Sequence, residues 1–315
     1  MKINDIKNTI FEKYEIRKSR KQKTAFIEYI QGVCAENGIP VTIEKSGRNR
    51  NIVMGASPEN CETVLGAHYD TCAVMPFPNF LTPKNFLVYL IYQLIICAVM
   101  FLPGVALAVV LYLLGYGEFS PMAFCVLMFV MLFLLMFGPA NKHTANDNTS
   151  GVITVLNTML SMTAEQREKV CFVLFDNEEL GLLGSSAFAT MHKKTMKNKP
   201  LINFDCVSDG DYLFVKLPKK EKNSEFGTGL TSALEKAAGK TGMKTEFGTG
   251  GMYPSDQANF KRGVAVAAFN RSGLVGLYLD KIHTKKDTVF NERNIECITE
   301  GVLEYLACGE NVSAE

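Results

Sequence analysis

The stretch VCFVLFDNEELGLLGS, residues 170–185, opens with six apolar residues, passes Asp176, Glu178 and Glu179, and turns through glycines into a helical pattern over 184–194. A short apolar run without polar alternation is what a strand covered on both faces looks like, and a strand feeding a helix is half of a βα unit. Two other runs share this form, TVLGAHYD (63–70) ending in His68 and Asp70, and LINFD (201–205) ending in Asp205. VTIEK (41–45), NIVMG (51–55), YLFVK (212–216) and VAVAAFN (264–270) add further strand candidates. Helical periodicity falls between them at 151–162, 229–240 and 291–306, and before them up to about Cys34, where Ile6, Ile10, Phe26 and Ile30 form apolar stripes. Alternation of this kind predicts an α/β sandwich around a parallel or mixed sheet.

The pattern is interrupted once. Between Lys84 and Lys142 the only charged residue is Glu118, and 45 of residues 85–141 are apolar. Residues 86–114 and 119–140 carry no charge, and each run exceeds the roughly 20 residues that cross about 30 Å of hydrocarbon. Between them GYGEFSP reads as a turn, so the segment is expected to be a two-span transmembrane hairpin, kinked or divided at Pro103-Gly104. The chain then divides into residues 1–84, the hairpin at 85–141, and residues 142–315, the outer parts forming one discontinuous domain. Lys84, Lys142 and a basic amino-terminal stretch flank the hairpin on one side, while its turn has no Lys or Arg. The positive-inside rule therefore predicts a cytoplasmic soluble domain. The first 30 residues lack the apolar core of a signal peptide, and nine Cys without a CxxC spacing suit a reducing compartment. The run RKSRKQK (17–23) reads as a solvated helix face, with attraction to anionic lipid headgroups as the alternative. With 33 Lys+Arg against 32 Asp+Glu, the chain lacks the basic excess of a nucleic-acid binder.

Chemistry concentrates where strands end, which is where open α/β sheets bind ligands. His68, Asp70, Asp176, Glu178, Glu179 and Asp205 lie there, joined by Asp147 in HTANDNTSG and His283 in KIHTKKDT. Two histidines and several carboxylates make an N/O donor set suited to Zn²⁺, or less selectively to Mn²⁺ or Co²⁺. The order His, Asp, Glu-Glu, Asp, His suits two ions sharing the central Asp. Of two adjacent glutamates, one can coordinate while the other takes a proton. Asp70, two residues after His68, is placed to accept the second ring N–H of that imidazole. The other two histidines are expected elsewhere, His143 where the chain leaves the hairpin and His192 on an exposed helix end.

In succession, GAHYDT, ANDNTSGV, FVLFDNEELGLLGS, NFDC, PSDQANF and IHTKKDT resemble the motifs of the co-catalytic di-zinc aminopeptidases that include bacterial leucyl aminopeptidase and aminopeptidase Y. The resemblance implies a three-layer α/β/α zinc-peptidase fold with a mixed central sheet. It implies that His68 and Asp205 bind one zinc, that Glu179 and His283 bind the other, that Asp147 bridges them and that Glu178 is the general base. Implied too are peptide substrates with a free amino terminus, hydrolysed through a metal-bridged hydroxide. Three departures stand out: Ser255-Asp256-Gln257 where many relatives carry SDH, Tyr253 in a loop where some use a Tyr to stabilise the oxyanion, and the hairpin between His68 and Asp147. Asp287, four residues after His283, is a candidate for orienting that loop. The competing readings are a di-zinc deacylase or carboxypeptidase, a single-zinc glutaminyl cyclase, and a membrane scaffold or receptor that keeps the fold without turnover.

Overall fold

Residues 2–312 are described by a computed structural model, and each of the seven strand candidates forms a strand in it. The chain runs α1 (Ile3–Lys13), α2 (Arg20–Glu36), β1 (Val41–Ser46), β2 (Asn49–Gly55) and β3 (Thr63–His68). The two apolar helices follow, α3 (Phe86–Leu113) and α4 (Ser120–Phe137). Then come α5 (Gly151–Ser161), the single turn α6 (Ala164–Arg167), β4 (Val170–Phe175), α7 (Leu183–Met191), β5 (Leu201–Phe204), β6 (Tyr212–Lys216), α8 (Glu225–Thr241), β7 (Lys244–Gly248), β8 (Gly263–Ser272), β9 (Gly276–Tyr278) and α9 (Glu292–Val312). β7 and β9 have no strand signal in the sequence because neither carries an apolar run: β7 is KTEFG, and β9 has three residues.

The strands form one mixed sheet in the order β1-β2-β4-β3-β5-β8-β6-β7, with β9 on β8. Its centre is parallel, β4 to β3, β3 to β5 and β5 to β8, and antiparallel pairs flank it. β4 shows how a continuous apolar run builds two interfaces at once. Phe172 and Leu174 join the core under α1, α2, α5, α8 and α9, while Cys171, Val173 and Phe175 face Phe188 of α7 and Phe260 on the other side. Successive side chains in a strand point to opposite faces, so the run must be apolar throughout to bury both. The result is a three-layer α/β/α fold. Strands β1 to β3 precede the apolar helices and β4 to β9 follow them, so the sheet draws on both parts of the chain.

The helices α3 and α4 pack against each other and leave their outer side chains bare, with Leu113 76% and Phe129 69% exposed. α3 is one helix through Pro103, neither divided nor broken there. Its neighbour Gly104 faces Phe124 of α4, where a Cβ would meet the ring at 2.7 Å. The small residue thus marks a close helix–helix approach and not a break.

The basic run at 17–23 is not the solvated face expected. Arg17 is completely buried and Lys23 nearly so, whereas Arg20 and Lys21 are exposed. α2 starts only at Arg20, behind a capping box formed by Ser19 and Gln22, and the irregular segment before it turns Arg17 inward. His192 is likewise not simply exposed: its ring lies 3.0 Å from Glu44 and 2.9 Å from Glu59.

Candidate active site

Strand register assembles the site. His68, the last residue of β3, pairs with Phe175 of β4, and Gly66 pairs with Asn203 of β5. Because these strands are parallel, their following residues, Asp70, the Glu178-Glu179 turn and Asp205, emerge at one edge. Two loops complete it, residues 145–150 carrying Asp147 and the segment around His283.

The donor atoms converge. Asp147 turns one carboxylate oxygen to each histidine, Oδ1 lying 3.3 Å from His68 Nε2 and Oδ2 3.0 Å from His283 Nε2. His68 Nε2 is also 3.6 Å from Asp205 Oδ1, and His283 Nε2 is 3.3 Å from Glu179 Oε2. His68, Asp147 and Glu179 offer atoms within 4.8 Å of one another, as do His68, Glu178 and Asp205. Glu179 Oε1 and Asp205 Oδ1 are buried without a hydrogen-bond partner. Buried carboxylate oxygens left in this state cost free energy unless something electropositive meets them. The donor set is therefore one that a metal such as zinc could satisfy.

The electrostatics point the same way. Burial alone would lower the pKa of His68, but Glu178 and the carboxylates of Asp147 and Asp205 push it well above the usual range. At His283 burial is likewise outweighed, by Glu179 and Asp147, and its pKa is held at about 9. Burial raises Glu179 to about 8, with Asp147 adding to the effect and His283 opposing it, and burial pushes Glu178 up strongly. Asp147 goes down despite burial, because both histidines hydrogen-bond to it. Without a metal, protons on the two imidazoles supply the positive charge that the carboxylates demand; a metal cation would supply it instead.

Behind these groups, two further carboxylates each hold a pair of backbone N–H groups. Asp70 accepts from Glu178 N at 2.9 Å and Glu179 N at 3.3 Å, fixing the turn that carries both glutamates. The tautomer role expected for its side chain falls to its backbone: His68 Nδ1 is 3.1 Å from the Asp70 carbonyl oxygen and 3.7 Å from the carboxylate. Asp287 accepts from Asn146 N at 2.9 Å and Asp147 N at 3.0 Å, so its carboxylate holds the Asp147 loop, where its position in the sequence had suggested the loop of His283. Asn146 Oδ1 in turn accepts from Ser208 N and Asp209 N, and Asn148 Nδ2 donates to the carbonyl of Phe204, tying that loop to the Asp205 segment.

Sequence reasoning missed several contributors. Arg17 donates Nε to the carbonyl of Tyr69 and Nη2 to Thr149 Oγ1, linking the segments that carry His68 and Asp147. Burial lowers its pKa to about 10, so it stays charged at neutral pH. Cys72 and Cys206 place sulfurs against Glu179–His283 and Asp147–Asp205 respectively, and burial pushes both thiols up, keeping them neutral. Asp256 is wholly buried with neither oxygen paired and a pKa raised to about 7, burial being the first cause. A buried Arg in a basic run has no local sequence signal. Tyr253 is buried beside the cluster and donates its hydroxyl to the Asp205 carbonyl at 2.9 Å, so the donor proposed for an oxyanion is engaged in holding Asp205.

A cavity of about 300 Å³ opens onto the cluster, with Asp147, Glu178, Asp205 and His283 on its floor and Leu81, Tyr89 and Ile282 in its walls.

The sequence model of peptidase family M28 matches residues 131–306. No curated protein matches the chain's sequence. Among solved structures, the chain is similar to the Legionella pneumophila LapA aminopeptidase, at TM-score 0.59 and 12% identity over 97% of this chain and 69% of that one. It is similar to the Porphyromonas gingivalis glutaminyl cyclase at TM-score 0.58 and 15% identity, over 98% of both chains. A leucine aminopeptidase precursor from Bacteroides thetaiotaomicron aligns at TM-score 0.57 and 14% identity, over 97% of this chain and 96% of the other. At these identities the likenesses establish the shared fold.

Proposed function

The chain belongs to peptidase family M28, and from that premise we propose that it is a zinc-dependent aminopeptidase held at a membrane by its apolar hairpin. The family makes it a hydrolase of peptides; the finer reading rests on the site. The observation that carries it is the convergence of His68, Asp147, Glu179, Asp205 and His283 around unpaired carboxylate oxygens, with Glu178 beside them at the floor of one cavity.

In this reading His68 and Asp205 would hold one zinc, Glu179 and His283 would hold the other, and Asp147, which faces both histidines, would serve both. Bound there, the ions would acidify a water and polarise the scissile carbonyl. Glu178 takes the proton of the attacking water and returns it to the departing amine. Asp70 keeps Glu178 and Glu179 in place through their backbone N–H groups. Tyr253 holds Asp205. Bound there, one of the ions would also offer a site to the substrate's free α-amine, which favours an exopeptidase acting on amino termini.

Residues 1–84 and 142–315 then form one peptidase domain, with 85–141 as a transmembrane hairpin. Supporting this are the length of α3 and α4 and their exposed apolar surfaces. Lys18, whose ammonium donates to the carbonyl of Met136 near the end of α4, lies with Lys84 and Lys142 at the base of the hairpin. By the positive-inside rule these charges favour the cytoplasmic side for the peptidase domain. Its substrates would be peptides released at or near that surface.

The test is a screen of the detergent-solubilised full chain against aminoacyl and dipeptide substrates, with and without chelator, alongside metal counting. Glu178→Gln should retain two zinc ions per chain and lose turnover by about 10³-fold. Parent-level cleavage by that variant would refute the role of Glu178. One zinc with cyclisation of amino-terminal Gln would indicate a cyclase. Release from the carboxyl end would indicate a carboxypeptidase, and bound metal without any hydrolysis a scaffold.

A further inference from the structure

The cleft and the apolar hairpin share a wall. Tyr89 lies in the first turn of α3, its backbone N–H bonded to the carbonyl of Asn85, yet it lines the cavity whose floor carries Glu178, Asp205 and His283. It packs against the cluster that includes Leu81, Tyr253 and Ile282.

The segment joining β3 to α3 binds this wall to the site. Met75 N donates to the carbonyl of His283 at 2.8 Å and Asn79 N to that of Ile282 at 3.2 Å, while Leu81 and Leu279 exchange a pair of backbone bonds. At its start the same segment meets the exit of the hairpin at its base, Val74 N donating to the Pro139 carbonyl at 2.8 Å. One turn further along α3, the Tyr92 hydroxyl donates to the Pro78 carbonyl at 2.6 Å and its ring packs on Phe80. The base of the hairpin, the cavity wall and the His283 segment are therefore one hydrogen-bonded unit.

We propose that Tyr89 is a specificity-determining residue: its ring closes the subsite that receives the substrate's amino-terminal side chain, so the hairpin completes the cleft as well as anchoring it. This rests on the aminopeptidase reading above. Leu81, Leu182 and Ile282 give the cavity apolar lining beside Tyr89, and a volume of about 300 Å³ is at the small end of ligand sites. With the phenol ring in place the subsite suits an aliphatic first residue; shortening that side chain enlarges it toward aromatic ones.

The experiment measures kcat/KM of the full-length chain in detergent for aminoacyl amides beginning with Ala, Leu and Phe. Tyr89→Ala should raise the Phe-to-Ala ratio at least tenfold, chiefly through KM, and Tyr89→Trp should lower it by a similar factor. Tyr89→Leu keeps an apolar side chain in the cluster and should also raise the ratio, which preserves the test if the alanine variant does not fold. Tyr112→Ala, near the far end of α3 and 71% exposed, should leave the ratio unchanged. Ratios within twofold of the parent in the Ala, Leu and Trp variants would overturn the assignment while the aminopeptidase reading stood. A parent that released no amino-terminal residue from any substrate would overturn that reading and the role of Tyr89 with it.

Discussion

Replacing Asp70 by Asn keeps the shape of the side chain and changes only what its outer atoms do. The carboxylate accepts two N–H groups, from Glu178 and Glu179, and is 2% exposed. Asn can satisfy one of them through its oxygen, but its NH₂ then confronts the other N–H, donor against donor. Losing a charge-assisted bond costs about 2 kcal/mol, and a buried donor left without an acceptor costs about 2 kcal/mol more. Together these come to about 4 kcal/mol. At about 2 °C per kcal/mol for a chain of this size, thermal unfolding should shift down by about 8 °C. The turn carrying Glu178 and Glu179 would relax, so zinc affinity should fall about 10- to 100-fold, as for other losses of a ligand's supporting hydrogen bonds. Turnover should fall about 100-fold through displacement of Glu178. Asp176→Asn separates these effects. Asp176 is equally buried two residues before Glu178, but its oxygens bind Lys23 and the backbone N–H of Arg50. That variant should lose stability and keep its zinc affinity. Chelator competition and thermal unfolding on the two variants provide the comparison. An Asp70→Asn protein with parental zinc affinity and turnover would refute the role assigned to the Asp70 carboxylate.

Three other predictions rest on the same geometry. Arg17→Met leaves the carbonyls of Tyr14, Glu15 and Tyr69 without their donor and should destabilise by about 3–5 kcal/mol; Arg17→Lys, one ammonium replacing a fork, should recover only part of this, read by denaturant unfolding. Gly151→Ala should cost several degrees of thermal stability and weaken zinc binding, because its Cβ would lie 2.4 Å from the Phe204 carbonyl oxygen and 2.3 Å from Asn148 Oδ1. In chelated protein, His283 is raised from 6.5 to about 9, so the stability from its protonation is complete below pH 6.5 and lost as pH rises toward 9. The contribution of Glu179, raised from 4.5 to about 8, also falls as pH rises, from about pH 4.5 until it levels off near pH 8, so both groups make metal-free protein weaker at pH 9 than at pH 6.5. The shift at His283 alone corresponds to about 3 kcal/mol. Because zinc needs deprotonated ligands, the gap between loaded and chelated unfolding temperatures should widen over this range; a constant gap would count against the ligand assignment.

How much of the fold and the site is legible in the sequence depends on whether the signal is local. Apolar runs buried on both faces name β3, β4 and β5, and a residue that ends such a strand must sit at the edge where ligands bind. For that reason the sequence alone groups His68, Glu178, Glu179 and Asp205, while Asp147 and His283 join them from loops through their donor type and the order of the motifs. β7 and β9 lack such runs and are invisible to it. Pro103-Gly104 looks like a break because proline removes one helical hydrogen bond, but it is contact with α4 that decides what the neighbouring glycine does.

By itself, then, the sequence determined the α/β class, the apolar hairpin and the residues grouped into the candidate site, since each follows from periodicity, composition or motif order along the chain. Only the tertiary structure decided which polar groups act and through which atoms. It buried Arg17 between segments 52 and 132 residues away. It turned the Asp70 carboxylate to backbone N–H groups 108 and 109 residues away, where adjacency had suggested His68. It engaged the Tyr253 hydroxyl on Asp205 and brought Tyr89 of an apolar helix into the cleft. The physical reason is the same in each case. A hydrogen bond or a cavity wall depends on which distant atoms folding brings within about 3–4 Å, and spacing along the chain does not encode that.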